Sequence, residues 1–599
     1  MVFSDRVSVE FSSWTIRFFL SVYRKKLIEF IDSSDERGQM KSRAIYTLSL
    51  LVVAQAAIGG NAFGQSTGVV PGQVSQLPPA PVTQSAIPDI RIQRPEAAPE
   101  AGPTGPAVVI SSLHIRGETR FSEAELIAAT GFTPGRALNL SDLRHMAALI
   151  ANYYNSRGYV VAQAYVPAQE IKDGAVTIVV IEGHYGAVKL GNKSRLRDSV
   201  AQRVLDGLDT GDIVAAAPLE RRLLLLSDIP GVRATSTLSP GSEVGTSDLL
   251  VDLNPGRLVT GNLEVDNAGS PYTGAYQGGG AVNFNEPLGI GDVATIRVLT
   301  SGEGLQYVRG SYQALVGDAT VGAAYAYFHY RLGRQFSSLH ADGWEQIASV
   351  YASYPLIRSY DNNLQLVTDV DYRRFQDTIG AVSSITDRSA EVATLGLTGD
   401  HRDSFGGGGW DAYSLYVTGG SLDIETPLAR ATDAQTARTQ GGYGKLTFSL
   451  DRLQTVAGPF AIYASVRGQV ASKNLDISEK MELGGAYAVR AYPEGEAYGD
   501  EGYVATLEGR LRLPNFIPGL PGRLQLAAFL DTGWVRFEES PWTSGTNSAR
   551  RSGVGVGLNW AADNNFQVRV SYAHKIGPEE ATSAPDTSGQ FWFQLVKFF

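Results

Sequence analysis

Regular alternation of apolar and charged residues in the carboxyl-terminal part constrains the fold of this chain more than any other feature. One apolar series is Tyr503, Ala505, Leu507, Leu511 and Leu513, and the residues between them include Thr506, Glu508, Arg510 and Arg512. Because side chains of a β-strand point alternately to opposite faces, charge confined to one phase indicates one face in water and the other in an apolar environment. Similar segments, separated by Gly, Asn, Asp and Ser clusters, continue from Arg257 to Phe599.

These strands predict a transmembrane antiparallel β-barrel over residues 257–599. A strand with its share of loop takes roughly 20 residues, so about 16 strands fit this segment. The barrel must be closed, because an open edge in lipid leaves unpaired backbone groups. After the amino-terminal region, no unbroken apolar run reaches the roughly 18 residues that a membrane-spanning helix needs. The 66 glycines, 27 tyrosines and 23 phenylalanines suit sheet bends and interfacial rings, although composition alone leaves a soluble β-sandwich as the alternative.

The end of the chain has the features of a closing barrel strand. Bulky residues alternate at Phe591, Phe593 and Leu595, and the last residue is Phe599. An aromatic carboxyl-terminal residue on such a strand looks like the signal read by the outer-membrane assembly machinery. The sequence therefore predicts the outer membrane of a Gram-negative bacterium, with lipid and that machinery as partners.

The amino-terminal region predicts targeting and linking segments. Residues 40–64 have the layout of a secretory signal peptide, with Lys41 and Arg43 ahead of an apolar run and Ala62 and Gly64 before the cleavage point. We interpret residues 1–39 as an extension that results from a misassigned start codon, and we expect translation to start at Met40. Residues 65–106 are rich in Pro, Gln and Ala, which predicts a linker.

Two tandem small α/β domains are predicted at 107–183 and 184–256. The first begins with a strand over 108–115, a helix with a capping box at Ser122 and Glu125, and a second helix from Leu140. Strands follow near 159–166 and 175–181. An offset of 73 residues relates six positions of the two halves, namely Gly158, Pro167, Val176, Ile178, Val180 and Gly183 with Gly231, Pro240, Leu249, Val251, Leu253 and Gly256. A common offset without gaps indicates an internal repeat.

Several classes of function have no support in the sequence. A net charge of -10 gives no uniformly basic field that could attract a nucleic-acid backbone, so nucleic-acid binding is not expected. There is no cysteine, the seven histidines include no HExxH pattern, and neither a Gly-x-Ser-x-Gly elbow nor a phosphate-binding Gly-x-x-x-x-Gly-Lys loop occurs. We therefore expect no metal, no cofactor and no enzymatic activity. An outer-membrane lipase or protease, with its serine, histidine and acid brought together across strands, is the alternative.

One segment carries a resemblance to a known family. The motif Val489-Arg490-Ala491-Tyr492, with Glu508 and Phe529-Leu530-Asp531-Thr532-Gly533 after it, resembles the long loop and partner strand of two-partner secretion transporters of the ShlB/FhaC/HecB type. This family lies within the superfamily of outer-membrane assembly factors. The segment Asp266–Ser270, read as opening the first barrel strand, also looks like the family's pattern. The resemblance implies that the two small domains are POTRA-like and lie in the periplasm.

The alternation of lipid-facing and lumen-facing positions along the strand predicts a contact for this motif. Lipid-facing positions at Leu524, Leu526, Ala528 and Leu530 place Phe529, Asp531 and Gly533 toward the lumen. Arg490 can then fold inward to Asp531, with Glu508 as a second acceptor, because a guanidinium matches carboxylates through paired hydrogen bonds. Ala491 departs from the family, which most often has glycine there, so a differently shaped turn is expected. The alternative is that Arg490 belongs to an ordinary surface loop.

The resemblance implies secretion of an unfolded exoprotein, such as a β-helical haemolysin or adhesin, without nucleotide hydrolysis. Two other functions remain open at this point: an assembly factor that inserts outer-membrane barrels, and a passive solute porin. Some transporters of the family carry an amino-terminal helix that plugs the pore. Residues 65–106 contain no strongly amphipathic helix, so a plug is not expected here.

Overall fold

The computed structural model describes residues 106–302, 304–514, 521–563 and 565–599, together with strand β1 (Asp89–Ile92). The predicted extension 1–39 and signal peptide 40–64 lie outside these residues, as does the predicted linker 65–106 apart from β1 and Pro106. Within the described part of the chain, no helix is long and apolar enough to cross a membrane.

The first α/β domain has the predicted strand-helix-helix-strand-strand order, with one additional short strand between the two helices. Its elements are β2 (Val108–Ile110), β3 (Ser112–Arg116), α1 (Glu123–Thr130), β4 (Arg136–Leu138), α2 (Leu140–Asn155), β5 (Gln163–Tyr165) and β6 (Ala175–Ile181). The predicted strand 108–115 is divided at Ser111, because β2 pairs with β4 whereas β3 pairs in parallel with β6. The capping box is present, with Ser122 as the N-cap of α1 and Glu125 bonding back to its amide.

The second domain repeats this order. It consists of β7 (His184–Asn192), α3 (Asp198–Leu205), α4 (Ala216–Ser227), β8 (Val232–Pro240) and β9 (Thr246–Pro255). Strand β3 is parallel to β6 in the first domain, as β7 is to β9 in the second, and the last two strands of each domain are antiparallel. Val176, Ile178 and Val180 are buried in one core, and Leu249, Val251 and Leu253 are buried in the other. The inward face predicted from the 73-residue offset is therefore confirmed.

The predicted linker contains one element of regular structure. Strand β1 pairs in parallel with Thr235–Leu238 of β8, so the second sheet has the order β1-β8-β9-β7. The linker prediction did not include this four-residue strand. The physical reason is that an edge strand such as β8 presents unpaired N–H and C=O groups, with which even a short extended segment can pair.

The rest of the chain is built from long strands. In chain order these are β10 (Val259–Asp266), β11 (Gln277–Asn285), β12 (Val293–Thr300), β13 (Leu305–Val316), β14 (Ala319–Arg331), β15 (Ala341–Arg358), β16 (Asn362–Ile379), β17 (Ser384–Asp403), β18 (Gly409–Ile424), β19 (Gly441–Ala457), β20 (Phe460–Ala471), β21 (Met481–Glu482), β22 (Tyr498–Gly499), β23 (Glu501–Arg512), β24 (Arg523–Arg536), β25 (Ser548–Ala562), β26 (Phe566–Lys575) and β27 (Gly589–Phe598). One short helix, α5 (Pro427–Gln435), lies between β18 and β19.

The described residues of this part form a closed antiparallel barrel of sixteen strands, from β10 to β20 and from β23 to β27. The barrel closes where β10 pairs with β27, and we call this the closing pair. Exposed apolar side chains such as Leu263, Val350 and Leu526 cover the exterior, as lipid requires. The predicted strand count is confirmed. The segment Asp266–Ser270 lies at the end of β10, not at its opening, because β10 already starts at Val259.

Ion pairs hold the second α/β domain against the near end of the barrel. Arg221 and Arg222 of α4 both contact Asp318 in the turn between β13 and β14. Arg358 at the end of β15 donates from Nε and Nη2 to the Asp228 carboxylate, each over 2.7 Å. This arrangement, in which one guanidinium meets both carboxylate oxygens, fixes orientation more closely than a single bond does.

Candidate functional site

The candidate site is a loop that folds into the barrel lumen between β20 and β23. We call residues 472–500 the inner loop. It contains a 3₁₀ turn (Ile477–Glu479) and the short antiparallel pair of β21 with β22. Its apolar residues pack on residues of β23, β24 and β26 in a single buried cluster, formed by Leu483, Ala488, Val489, Ala491 and Tyr492 with Val504, Phe529, Val535 and Ala573. The loop is therefore held against the inner barrel wall.

Arg490 makes the predicted contacts at the tip of the inner loop. Its Nε and Nη2 donate to the two oxygens of Asp531, each over 2.8 Å. Its Nη1 donates to Glu508 Oε1 over 2.7 Å, and its backbone N–H donates to Asp531 Oδ2 over 3.2 Å. The side chain of Asp531 is fully buried. The alternative of an ordinary surface loop is wrong, because the arginine points into the lumen.

The surroundings of Arg490 complete its binding site. The guanidinium carbon lies 3.4 Å from the centroid of the Phe529 ring, a cation–π geometry. Thr506 donates to Asp531 Oδ1 over 2.8 Å, and Arg510 pairs with Glu508 over 2.7 Å. Two arginines thus face two carboxylates, and the cluster carries no net charge. Displacing Arg490 as a whole leaves the cluster with one uncompensated buried negative charge, which makes the loop position well defined.

The remaining predicted site residues shape the docked loop. Val489 and Tyr492 are fully buried, and the Tyr492 hydroxyl donates to the Glu579 carbonyl over 3.1 Å. Gly533 lies beside the loop, since a Cβ there would come within 2.9 Å of Leu483 Cδ2. Ala491 has no positive φ, so the alanine is not strained. It fits because its wall neighbour is Gly553, where a Cβ would come within 2.3 Å of the Ala491 Cβ.

The structure adds contacts from the last strand that the sequence reasoning missed. Trp592 Nε1 donates to the Arg490 carbonyl over 2.7 Å, and Gln594 Nε2 donates to the Tyr487 hydroxyl over 2.9 Å. A signal for these two was available, because Trp592 and Gln594 occupy the phase opposite to Phe591 and must face the lumen. The loop tip therefore contacts β27 as well as β23 and β24.

Glu496 is a second anchor of the inner loop that was also missed. Its Oε1 accepts from Nε and Nη2 of Arg551 on β25, over 2.9 and 2.5 Å. Its Oε2 accepts from the backbone N–H groups of Thr582 and Ser583, over 2.7 and 2.9 Å, in the loop between β26 and β27. The side chain is fully buried. Glu496 thus ties the inner loop to a second loop of the barrel.

The start of the inner loop is bound to strands further round the barrel. Glu479 pairs with Arg373 of β16 over 2.9 Å and with Lys445 of β19 over 2.7 Å. Asp476 pairs with Arg388 of β17. With Arg490 bound to β23 and β24, the inner loop is tied to strands on both sides of β20. It therefore obstructs the lumen in this conformation.

A cavity of about 330 Å³ with a mixed polar and apolar lining remains beside the loop tip. Its lining includes Tyr463, Arg490, Arg510, Gln525 and Arg569. This volume is at the lower end of the range for small-molecule pockets. A folded protein domain does not fit, and even an extended chain needs the inner loop to move.

In the described residues, no group of three or more His, Asp or Glu side chains is arranged to hold a metal ion.

Comparison with known sequences gives two family matches and several relatives. The family described as "Haemolysin secretion/activation protein ShlB/FhaC/HecB" matches residues 245–560, and "POTRA domain, ShlB-type" matches residues 108–183. The heme/hemopexin transporter protein HuxB of Haemophilus influenzae (strain 86-028NP) is 29% identical over 475 residues, which are 78% of this chain and 82% of the relative. The outer membrane transporter CdiB of Escherichia coli is 23% identical over 465 residues, or 76% and 77% of the two chains.

Solved structures show a similar fold. CdiB from Escherichia coli aligns with a TM-score of 0.66 at 20% identity, over 85% of this chain and 93% of that one. BamA from Haemophilus ducreyi lacking POTRA domains 1-3 aligns with a TM-score of 0.50 at 15% identity, over 82% and 100%. At these identities the likeness concerns the fold, which combines POTRA domains with a closed barrel.

Proposed function

This chain belongs to the ShlB/FhaC/HecB family of haemolysin secretion/activation proteins, and we propose that its cargo passes unfolded through the lumen after displacing the inner loop. As a member of this family it is an outer-membrane transporter that secretes a partner exoprotein, with its POTRA domains in the periplasm. The observation that carries the proposal is the inner loop itself, which obstructs the lumen yet is attached to the barrel wall mainly through side chains.

The contacts of Arg490 fit a closure that can be reversed. The hydrogen-bonded strand ladder of the barrel does not include the inner loop, whose strands β21 and β22 pair with each other as a separate sheet. Displacing the loop therefore breaks ion pairs and a small apolar cluster, while the sixteen-strand ladder stays intact. Buried ion pairs fix a position with high specificity but are weak net contributors to stability, because desolvation offsets much of their attraction.

We propose that the periplasmic domains bind the cargo by adding one of its segments to a sheet edge, a mode of recognition driven by backbone hydrogen bonds. Edge strands β3 and β5 of the first domain and β7 of the second are available for this. The edge at β8 is paired with β1. A cargo segment that uses the β8 edge must first release these four residues of the chain itself.

The family and the fold support a proposal for the cargo class and for the energy source. We propose that the cargo is a large β-helical haemolysin or adhesin. We also propose that its folding outside the cell supplies the energy, because a protein that folds there can draw its own chain outward. The transporter then needs no nucleotide hydrolysis and no enzymatic activity of its own. We also propose that lipid surrounds the apolar exterior and that the barrel assembly machinery recognises the strand ending at Phe599. The relatives HuxB and CdiB are named as transporters, which accords with this assignment.

Deletion of the gene tests the function directly. We expect the loss of one large protein from the culture fluid and an unchanged abundance of other barrels in the outer membrane. Quantitative proteomics of the culture fluid and of the outer-membrane fraction measures both. Re-expression of the chain should restore the secreted protein. A general loss of barrels would instead support the assembly factor, and altered uptake of small solutes alone would support a porin.

A further inference from the structure

The two strands of the closing pair differ in how far they extend. The backbone register joins Asn262–Asp266 of β10 to Phe598–Gln594 of β27, and Gly261 also exchanges both backbone bonds with Phe599. Strand β27 continues to Gly589, and on its other side it stays paired with β26 along this length. In the described part of the chain, the β10-facing edge of β27 therefore has no partner strand at the end remote from the two periplasmic domains.

The chain leaves the edge of β27 just after Asp266. The Ala268 N–H donates to Asp266 Oδ1 over 2.9 Å, and the Gly269 N–H donates to the Ala275 carbonyl over 3.1 Å. In a continued antiparallel ladder, Gly269 would instead face Phe591. Its N–H group is thus already used in the turn, and the Phe591 carbonyl needs another donor.

Asn267 supplies this donor from its side chain. Its Nδ2 donates to the Phe591 carbonyl over 2.7 Å, and its Oδ1 accepts from the Phe593 N–H over 2.7 Å. Its backbone N–H donates to the Phe593 carbonyl over 3.3 Å. The amide orientation is fixed by the partners, since a carbonyl only accepts and an N–H only donates. One side chain therefore takes the place of two backbone groups of the missing strand.

We propose that Asn267 is a positioning residue that keeps the closing pair shut at the outer end of the barrel. Asparagine is common in turns, where its side chain usually bonds to its own neighbouring backbone. Here both side-chain polar atoms bond to β27, on the strand face shared with the lipid-exposed Leu263 and Val265. Unpaired edge groups in lipid are costly and invite pairing with other strands. A shut closing pair keeps the cargo path inside the lumen and separate from the bilayer.

Hydrogen exchange of the whole protein in lipid vesicles tests this role. In Asn267→Ala we expect exchange at Phe593 and at the adjoining ladder amides of the closing pair to rise by about tenfold, which corresponds to about 1.4 kcal/mol. The matched control is Asn262→Ala in β10. The Nδ2 of Asn262 has no hydrogen-bond partner among the described residues. This control should exchange like the unaltered protein.

A disulfide across the closing pair tests whether Asn267 acts by holding β10 and β27 together. The chain has no cysteine, so Val265→Cys with Leu595→Cys, which are register partners on the exterior, introduces a single bridge. Facing residues of an antiparallel pair lie at a Cα separation that a disulfide can span. When this bridge is oxidised in the Asn267→Ala protein, exchange near residues 265 and 595 should return to normal. Phe593 should still exchange fast, because its acceptor is gone.

Three results would overturn the proposal: unchanged exchange in Asn267→Ala, an equal rise in Asn262→Ala, or no effect of the oxidised bridge. If Asn267→Ala alone does not assemble, the bridged form is prepared oxidised and then reduced. The proposal requires fast exchange at the closing pair only after reduction. Unchanged protection after reduction would contradict it.

Discussion

Replacement of Arg490 by alanine is the perturbation with the best-defined consequence. It removes three side-chain hydrogen bonds to Asp531 and Glu508 and the contact with the Phe529 ring. The neutral cluster of two arginines and two carboxylates is left with one excess negative charge, on residues that are almost completely buried. Breaking a buried pair by removing one partner costs about 3–5 kcal/mol. We expect the equilibrium between docked and displaced inner loop to shift by about 10²- to 10⁴-fold.

The assay combines exchange protection of residues 483–499 with export of the cargo. Arg490→Ala should lose protection in the inner loop. We expect it also to reduce export, because we propose that the cargo engages the loop in its docked position before displacing it. The barrel should still assemble, because the strand ladder does not depend on this side chain. Arg490→Lys should be intermediate, since one ammonium group cannot reproduce the fork of a guanidinium. The matched control is Arg523→Ala, which breaks an exposed pair with Asp563 and should change little.

A double-mutant cycle gives the result that would refute this reasoning. Asp531→Asn removes the buried charge that Arg490→Ala leaves unpaired, so the double variant should lose less protection than the sum of the two single variants. Strict additivity would mean that the two residues do not interact. Full loop protection and full export in Arg490→Ala would remove Arg490 from the account altogether.

Three further predictions concern other parts of the molecule. Glu496→Gln leaves Arg551 buried without a charged partner and should expose the inner loop to added protease, with docking weakened by about 3–5 kcal/mol. In the first domain, burial raises the pKa of Glu182, but hydrogen bonds led by those from Thr119 outweigh it and hold the pKa below its ordinary value. Its contribution to stability is therefore present above the unfolded pKa of about 4.3 and is lost as the pH falls through the folded value. Glu182→Gln should remove that pH dependence and destabilise the domain by about 1–3 kcal/mol, measured as exchange of α2 at several pH values. Deletion of Phe599 should lower the amount of assembled barrel, measured by heat-modified gel migration, and an unchanged amount would contradict its role as a signal.

Strand phase was the most informative feature of the sequence, because it depends only on local geometry. It placed Asp531, Phe529 and Gly533 in the lumen and made Glu508 an acceptor for Arg490, and all of these contacts are present. The 73-residue offset likewise described both periplasmic domains, since a repeat preserves its buried positions.

The missed features depend on which distant segments the fold brings together. Trp592 reaches the Arg490 carbonyl only because closure puts the last strand beside the first, next to the inner loop. Pairing of β1 with β8 joins segments more than a hundred residues apart and leaves no pattern in four residues. The role proposed for Asn267 requires the unequal lengths of β10 and β27, which alternation alone does not specify to within a residue.

Photo-crosslinking during export tests most directly whether the cargo passes through the lumen. The photoreactive residue p-benzoylphenylalanine is placed at Tyr463, which lines the cavity beside the inner loop, and in a matched variant at Tyr325, which is exposed on the exterior. The cargo is the secreted protein that disappears on deletion of the gene. The account predicts crosslinks to this protein from position 463 and none from position 325. Crosslinks from 325 alone, or none from 463 while export continues, would contradict it.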